Sequence, residues 1–249
     1  MNAGEVVSEG LTVFFPAFNE EENVRFMVLS ARDVLQRLCD KWEIIVVDDG
    51  STDSTAAITE EMGREDDRIR LVSHPVNLGF GSAIRTGIAS SIMPWVFYTD
   101  CDGQFDLADL DKVWSRRNEA DIISAYRRKR RDPWMRLLYS AAYNGLACTM
   151  FGEGFKDTDS SFKLYRRDIF QKVRPRSTSG VADFEILLLA RRLGYRVLQI
   201  PVPHYPRRAG QVSFETMRGS IFTWVSLSAV TEMFRQLLSL RMRVWKGDV

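Results

Sequence analysis

The residues best suited to chemistry stand together in Tyr98-Thr99-Asp100-Cys101-Asp102-Gly103-Gln104-Phe105-Asp106. Two carboxylates one residue apart, then an amide and a third carboxylate, offer hard oxygen donors. Mg²⁺ or Mn²⁺ prefers such donors, held between protein and a substrate's phosphates. A solvated turn can also end in acid, and Asp-x-Asp alone does not separate the two readings. A second acidic group, Asp48-Asp49-Gly50-Ser51-Thr52-Asp53-Ser54, holds more carboxylate than helix capping needs. An aspartate there can accept from a base N–H or a ribose hydroxyl. Pro16-Ala17-Phe18-Asn19-Glu20-Glu21-Glu22 supplies further polar groups. The cations come later, in Arg127-Arg128-Lys129-Arg130-Arg131, Arg136 and Arg207-Arg208. Guanidinium forks suit phosphate, although a charge run also suits an exposed loop.

Each acidic group follows an apolar run that must aim it. Leu11–Phe15, Trp42–Val47, Ile69–Val72 and Trp95–Tyr98 read as strands, and helices separate them. Near-continuous apolar strands alternating with helices predict an α/β fold, with a mostly parallel sheet and right-handed crossovers. Ligands bind such sheets beyond the carboxyl ends of the strands, where all three acidic groups fall. Asn19 is placed to cap the first helix with Glu22 completing a capping box, and Ser51 to cap the second. Asn77-Leu78-Gly79-Phe80-Gly81-Ser82-Ala83 looks superficially like a phosphate turn but lacks the spacing of a dinucleotide fingerprint and the lysine of a P-loop. It reads, with Gly87, as close helix–sheet packing; Arg85 beside it is a minor ligand candidate.

Further along, a helix from Leu107 to about Glu119 precedes a strand at Asp121–Ala125. Another helix opens at Pro133 and carries Trp134, Leu137, Leu138, Ala141, Leu146 and Met150. A helix from about Ala182 to Leu193 carries Asp183 and Glu185, which with Asp159 are the candidate bases for a hydroxyl acceptor. Arg196–Pro201 reads as an edge strand ended by proline, followed by a mobile loop at His204–Gly210, where His204 reads as structural. The last helix, about Met217 to Leu240, begins with the apolar run Ile221–Val230. That run falls short of the ~20 residues of a membrane span. Arg241, Arg243 and Lys246 follow it, and packing on the domain is favoured over an anionic membrane surface.

The 249 residues suffice for one domain spanning 1–249 with a sizeable core, 1–10 being a frayed terminus without signal-peptide features. A net charge of +1 supplies no global field for nucleic acid. Three cysteines, Cys39, Cys101 and Cys148, show no metal spacing and favour a reducing compartment.

Pro16 to Glu20, Asp48 to Asp53 and Asp100 to Gln104 stand in an order that resembles the family 2 glycosyltransferases. Asp121 to Arg127, Asp157 to Lys163 and Arg207 to Gly210 extend the resemblance to the polyprenyl-phosphate (dolichol-phosphate mannose synthase-like) members, over about residues 11–215. The resemblance implies a GT-A fold, a divalent metal (Mg²⁺ or Mn²⁺), and an NDP-sugar donor, GDP-mannose first and UDP-glucose next. It also implies inverting transfer to a polyprenyl phosphate on the cytoplasmic face of a membrane, and leaves room for a membrane-embedded partner protein. Carried over residue by residue, Pro16, Phe18, Glu20, Val47 and Asp49 line the nucleoside pocket, and Asp100 and Cys101 touch the nucleotide. Asp102 and Gln104 hold the metal, Arg127 and Arg207 contact phosphates or sugar, and Arg136 contacts the acceptor phosphate.

Four positions depart from the pattern: Phe18 for tyrosine, Cys101 for alanine, Ser161 for glycine, and Gly210-Gln211-Val212-Ser213-Phe214 without the usual lysine. Strand alternation turns Cys101 away from its acidic neighbours, so it is not a metal ligand. The alternatives are the same fold acting on a hydroxyl of a polysaccharide or small molecule, and a non-catalytic nucleotide-sugar-binding protein.

Overall fold

The computed structural model describes residues 10–128, 134–210, 215–217, 223–225 and 227–248. Of the frayed terminus expected at 1–10, Gly10 instead begins the first strand; the rest, the cations 129–131 and Pro133 lie outside them, as does the Gln211–Phe214 departure. Strands β1 (Gly10–Ala17), β2 (Lys41–Asp48), β3 (Ile69–Ser73) and β4 (Trp95–Tyr98) alternate with helices α1 (Val24–Leu38), α2 (Thr55–Glu65) and α3 (Phe80–Ser90). After them come α4 (Leu110–Trp114), β5 (Ile122–Arg128), α5 (Trp134–Phe151), β6 (Lys163–Arg166), α6 (Val181–Arg192) and β7 (Val197–Pro203). A two-stranded ribbon, β8 (Glu215–Met217) with β9 (Thr223–Val225), precedes α7 (Leu227–Lys246).

The sheet runs β3-β2-β1-β4-β6-β5-β7. All its pairings are parallel except those of β6, which is antiparallel to both β4 and β5. This is the α/β, mostly parallel sheet that the alternating apolar strands predict.

The two-residue period of the strands builds a core on each face. Ile44 and Val46 of β2 pack with α1, α2 and α4, while Ile45 and Val47 pack with α3. Phe97 and Tyr98 divide in the same way, and α5, α6 and α7 complete the second face. The expected close packing at Gly87 is observed: a Cβ there would fall 2.3 Å from the Phe14 ring on β1.

Four expectations fail for local reasons. The helix expected from Leu107 to Glu119 is α4 between two 3₁₀ turns, Leu107–Asp109 and Arg117–Glu119. Asp106 starts it by accepting from Ala108 N–H, and Arg117 ends it by donating to the Trp114 carbonyl. Asn19 caps nothing: α1 starts at Val24 behind Asn23, and Glu22 forms no capping box. Ser51 is not the cap of α2, whose N-cap position is Ser54. The last helix begins at Leu227, ten residues later than expected from Met217, because the ribbon β8–β9 comes first.

In the main sheet one strand was not expected at all. β6 contains Lys163, fully buried, whose ammonium donates to Asp183 Oδ1 at 2.8 Å and to the carbonyls of Thr158 and Ser160. Desolvation pushes the lysine down to about 7 and the Asp183 carboxyl well up. Tyr98 OH also donates to Asp183. Both shifts favour the neutral forms, and the hydrogen bonds are what allow these polar groups to be buried at all.

Candidate active site

Because β2, β1 and β4 are neighbours and parallel, their carboxyl ends lie side by side and present the three acidic groups together. The turn after β1 is pinned to the turn after β2. Asn19, at φ 56, donates its N–H to Ser51 Oγ at 2.9 Å and accepts from Thr52 N–H at 2.8 Å. Glu20 N–H donates to Thr55 Oγ1 at 2.8 Å. Asparagine tolerates the left-handed region, so its value here is in the turn.

Where the resemblance expects the nucleoside, Pro16 and Val47 are buried in β1 and β2, and Phe18 is half-buried at the strand end. Asp49 builds the far wall. Its carboxylate accepts from the N–H groups of Leu78 and Gly79, each at 2.9 Å, and meets His74 Nδ1 at 2.6 Å. Gly79 is required there: it sits at φ 93 with the Thr178 carbonyl 2.6 Å from where a Cβ would stand. His74, whose Nε2 meets Thr86 Oγ1 at 2.8 Å, is a wall residue that the sequence reading passed over. Nothing in its local sequence links it to Asp49.

Between β1 and β4 lies the acid cluster. Arg207, from the loop after β7, reaches Glu20 Oε1 at 2.6 Å and Asp102 Oδ2 at 3.5 Å. Its Nε donates to the Ala209 carbonyl at 2.7 Å. That loop is zipped to the Asp102–Gln104 turn: Tyr205 N–H donates to the Gln104 carbonyl, Gln104 Nε2 to the Tyr205 carbonyl, and Arg208 N–H to the Asp102 carbonyl. Asp100 accepts from Ser161 Oγ at 2.7 Å, which gives the serine at a position typical of glycine a definite contact. Burial, then the charge of Asp100, raises the Asp102 carboxyl to about 7.

Cys101 does not share this chemistry. Its side chain is buried in the core among Met27 and Phe105, and burial pushes the thiol up. The thiol faces the core, which leaves the backbone of Cys101 for the nucleotide contact that the resemblance implies.

Arg127, expected to contact phosphates or sugar, is held by carboxylates. It is only 6% exposed and forks onto Asp157 at 2.5 and 2.8 Å, with Asp159 at 2.9 Å. Asp157 also accepts from the Arg127 N–H, and holds the left-handed conformation (φ 50) that places it there. Two carboxylates thus already neutralise the guanidinium expected to meet a phosphate or sugar. Asp159 also receives Asn144 Nδ2 of α5 at 3.0 Å and keeps 29% exposure. Arg136 lies in the first turn of α5, and its side chain is outside the described residues. Asp183 and Glu185, two candidate bases, are fully buried: the first pairs with Lys163, the second with Arg243 at 2.6 Å.

Among the described residues, no three His, Cys, Asp or Glu side chains converge as a metal-binding group. Once Asp102 gives up its proton, Glu20, Asp100 and Asp102 carry three negative charges against the single positive charge of Arg207, a deficit equal to one divalent ion. That suits a cation shared with a substrate's phosphates better than one caged by protein.

The sheet order and the acidic turns at its carboxyl ends define a nucleotide-sugar transferase architecture of the GT-A class. Residues 12–174 match glycosyl transferase family 2, and the chain belongs to that family. It is 29% identical over 208 residues to dolichyl-phosphate beta-glucosyltransferase ALG5A of Trichomonas vaginalis, covering 77% of this chain and 64% of that protein. It is 30% identical over 207 residues to glycosyltransferase AglD of Haloferax volcanii, covering 79% of this chain and 33% of that one. The matched region thus spans about two thirds and one third of these relatives' lengths.

Solved structures share the fold. Glucosyl-3-phosphoglycerate synthase of Mycobacterium tuberculosis, in complex with Mn²⁺, UDP-glucose and phosphoglyceric acid, superposes with a TM-score of 0.66 at 20% identity, covering 97% of this chain and 84% of that one. Mannosyl-3-phosphoglycerate synthase of Rubrobacter xylanophilus gives 0.67 at 17%, covering 96% and 75%.

Proposed function

We propose that the protein is an inverting glycosyltransferase that moves a hexose from an NDP-sugar to a polyprenyl phosphate. The observation that carries this reading is the carboxylate surplus of Glu20, Asp100 and Asp102 around Arg207, at the carboxyl ends of β1 and β4 in a family 2 chain. The dolichyl-phosphate relative supports the acceptor and moves glucose from UDP ahead of mannose from GDP as the donor to try first.

In this reading Pro16, Val47 and the Phe18 ring form the apolar wall for the base. Asp49 fixes the loop that closes the pocket, and Asp100 meets the ribose or nucleotide in the orientation set by Ser161. Asp102 and Gln104 would hold the divalent ion, with Gln104 leaving the Tyr205 carbonyl. When bound, the ion would neutralise the charge developing on the departing diphosphate. Arg207 supplies the fixed cation beside that leaving group, and its guanidinium already lies within the cluster that must receive it. The acceptor phosphate is ionised near neutral pH, so attack on the anomeric carbon needs placement and little base catalysis. Arg136 is the cation proposed for that placement.

One observation favours a second reading, transfer to a hydroxyl. Arg127 is consumed by Asp157 and Asp159, and Asp159 remains partly exposed as a base. Transfer from UDP-glucose or GDP-mannose with Mn²⁺ or Mg²⁺, to a short-chain polyprenyl phosphate or to soluble sugars, separates the two. Product on the polyprenyl phosphate supports the first reading; product only on soluble hydroxyl acceptors replaces it with the second.

The elevated Asp102 carboxyl gives metal binding a pH signature. The ion needs the carboxylate, and the proton leaves only around pH 7. Mn²⁺ affinity, read by electron paramagnetic resonance, should therefore fall about tenfold per pH unit below 7, one proton being exchanged per ion. The same raised pKa makes this carboxyl's contribution to stability greatest in acid, and it is lost as pH rises from 3.8 to about 7. A flat Mn²⁺ affinity from pH 5.5 to 7.5 would remove Asp102 from the ligand set.

We further place the protein at the surface of a membrane. No helix of the described residues is long and apolar enough to cross one. α7 packs through Leu237, Leu240 and Val244, as favoured from the sequence, yet exposes Phe234, Leu238, Met242 and Trp245 along one stripe. Flotation with anionic vesicles should be lost in a Leu238→Glu/Trp245→Glu variant; unchanged flotation would exclude this stripe.

A further inference from the structure

A cavity of about 1130 Å³ lies away from the acid cluster, against the opposite ends of the strands. It opens where Trp95 begins β4, Asp121 precedes β5, Arg166 ends the antiparallel β6, and Arg196 precedes β7. Six arginines line it: Arg85, Arg117, Arg166, Arg167, Arg174 and Arg196. Only two lining residues, Asp121 and Asp168, are acidic, which leaves a local surplus of four positive charges in a chain whose net charge is +1. The imbalance is therefore built at this place and is not a property of the whole surface.

The two carboxylates are already used. Arg166 takes both, at 3.1 Å from Asp121 and 2.5 Å from Asp168, while Arg196 stands 4.0 Å from Asp121. Arg167 donates to the Ile92 carbonyl, Arg85 to the Ser177 carbonyl and Ser82 Oγ, and Arg117 to the Trp114 carbonyl. Arg174 has no hydrogen bond or ion pair among the described residues. A guanidinium carries five N–H groups, so the single Ile92 carbonyl on Arg167 leaves most of them for a ligand. A concave wall of one sign focuses potential and concentrates counter-ions. Guanidinium forks match phosphate oxygens, and the volume exceeds what a lone phosphate fills. Trp95 and Phe170 add apolar surface to the same cavity.

We propose that this cavity is a second anion site, which binds a small molecule bearing a phosphate on an apolar body. The phosphate could be that of a lipid or of a soluble metabolite, and the site is separate from the proposed donor site. Arg85, left as a minor ligand candidate by the sequence, belongs here.

The test is binding of inorganic pyrophosphate to the full chain in EDTA, followed by calorimetry, with dihexanoyl phosphatidic acid below its micelle concentration as a second probe. Expected is saturable pyrophosphate binding, equal in wild type and Asp102→Asn. It should weaken about tenfold or more in Arg167→Glu/Arg174→Glu, the scale of losing charge-assisted hydrogen bonds. If that double variant fails to fold, Arg174→Gln removes no contact of the structure and should still weaken binding severalfold. Phosphatidic acid binding at least tenfold tighter than pyrophosphate assigns a lipid phosphate; equal or weaker binding assigns a soluble one. The absence of pyrophosphate binding in wild type overturns the proposal. So does binding that survives the arginine changes, or that vanishes in Asp102→Asn.

Discussion

Asp102→Ala should lower kcat for sugar transfer by about a thousandfold or more, with a smaller rise in donor KM, because electrostatic stabilisation of a leaving diphosphate is realised mainly in the transition state. Asp102 is buried within the acid cluster, 8% exposed like Glu20. Arg207 touches it and Asp100 perturbs it. It is therefore the residue at which an added cation would gain most. Steady-state kinetics with saturating Mn²⁺, beside Mn²⁺ titration of the same variant, separates lost metal from lost chemistry. Activity within tenfold of wild type would leave the cluster without a catalytic role.

Arg207→Ala is expected to cost about 10²- to 10³-fold in kcat/KM, the scale of one preorganised donor lost from a charged transition state. The argument rests on what the guanidinium does before substrate arrives. It bridges Glu20 and Asp102 from a loop hydrogen-bonded to the Asp102–Gln104 turn, so its position is set by backbone as well as charge. Its charge also lowers the Asp102 carboxyl against burial and Asp100. Without it that carboxyl must rise further above about 7. The pH midpoint for Mn²⁺ binding should then move upward, which simple loss of loop packing would not produce. Arg207→Lys should restore much of the midpoint but little of kcat/KM, since an ammonium lacks the fork. An unmoved midpoint in Arg207→Ala would remove the arginine from the cluster's electrostatics.

The fold's parallel half was legible because β1, β2 and β4 bury both faces, leaving near-continuous apolar runs that end in acid. β6 escaped because a charged Lys163 at its start disguises a central strand, and only Asp183, twenty residues away, explains its burial. The acid cluster was likewise readable from local motifs, but its wiring was not. Asn19 is positioned as a cap yet serves as a staple, because its partner Thr52 lies across a strand crossing. Arg127 reads as a free cation until Asp157, thirty residues on, closes on it. The basic cavity is the extreme case: its arginines are scattered from Arg85 to Arg196 and meet only at the strand ends. Periodicity reports the neighbours along an element; these contacts join different elements.

The most direct measurement is transfer of labelled glucose or mannose from UDP-glucose or GDP-mannose to a short-chain polyprenyl phosphate, with wild type and Asp102→Ala compared in Mn²⁺ and in EDTA. Expected is a lipid-extractable glycosyl phosphate formed only by wild type and only with the metal. Product formed equally in EDTA or by Asp102→Ala, or found solely on soluble hydroxyl acceptors, would contradict the assignment of this site to metal-assisted transfer onto a lipid phosphate.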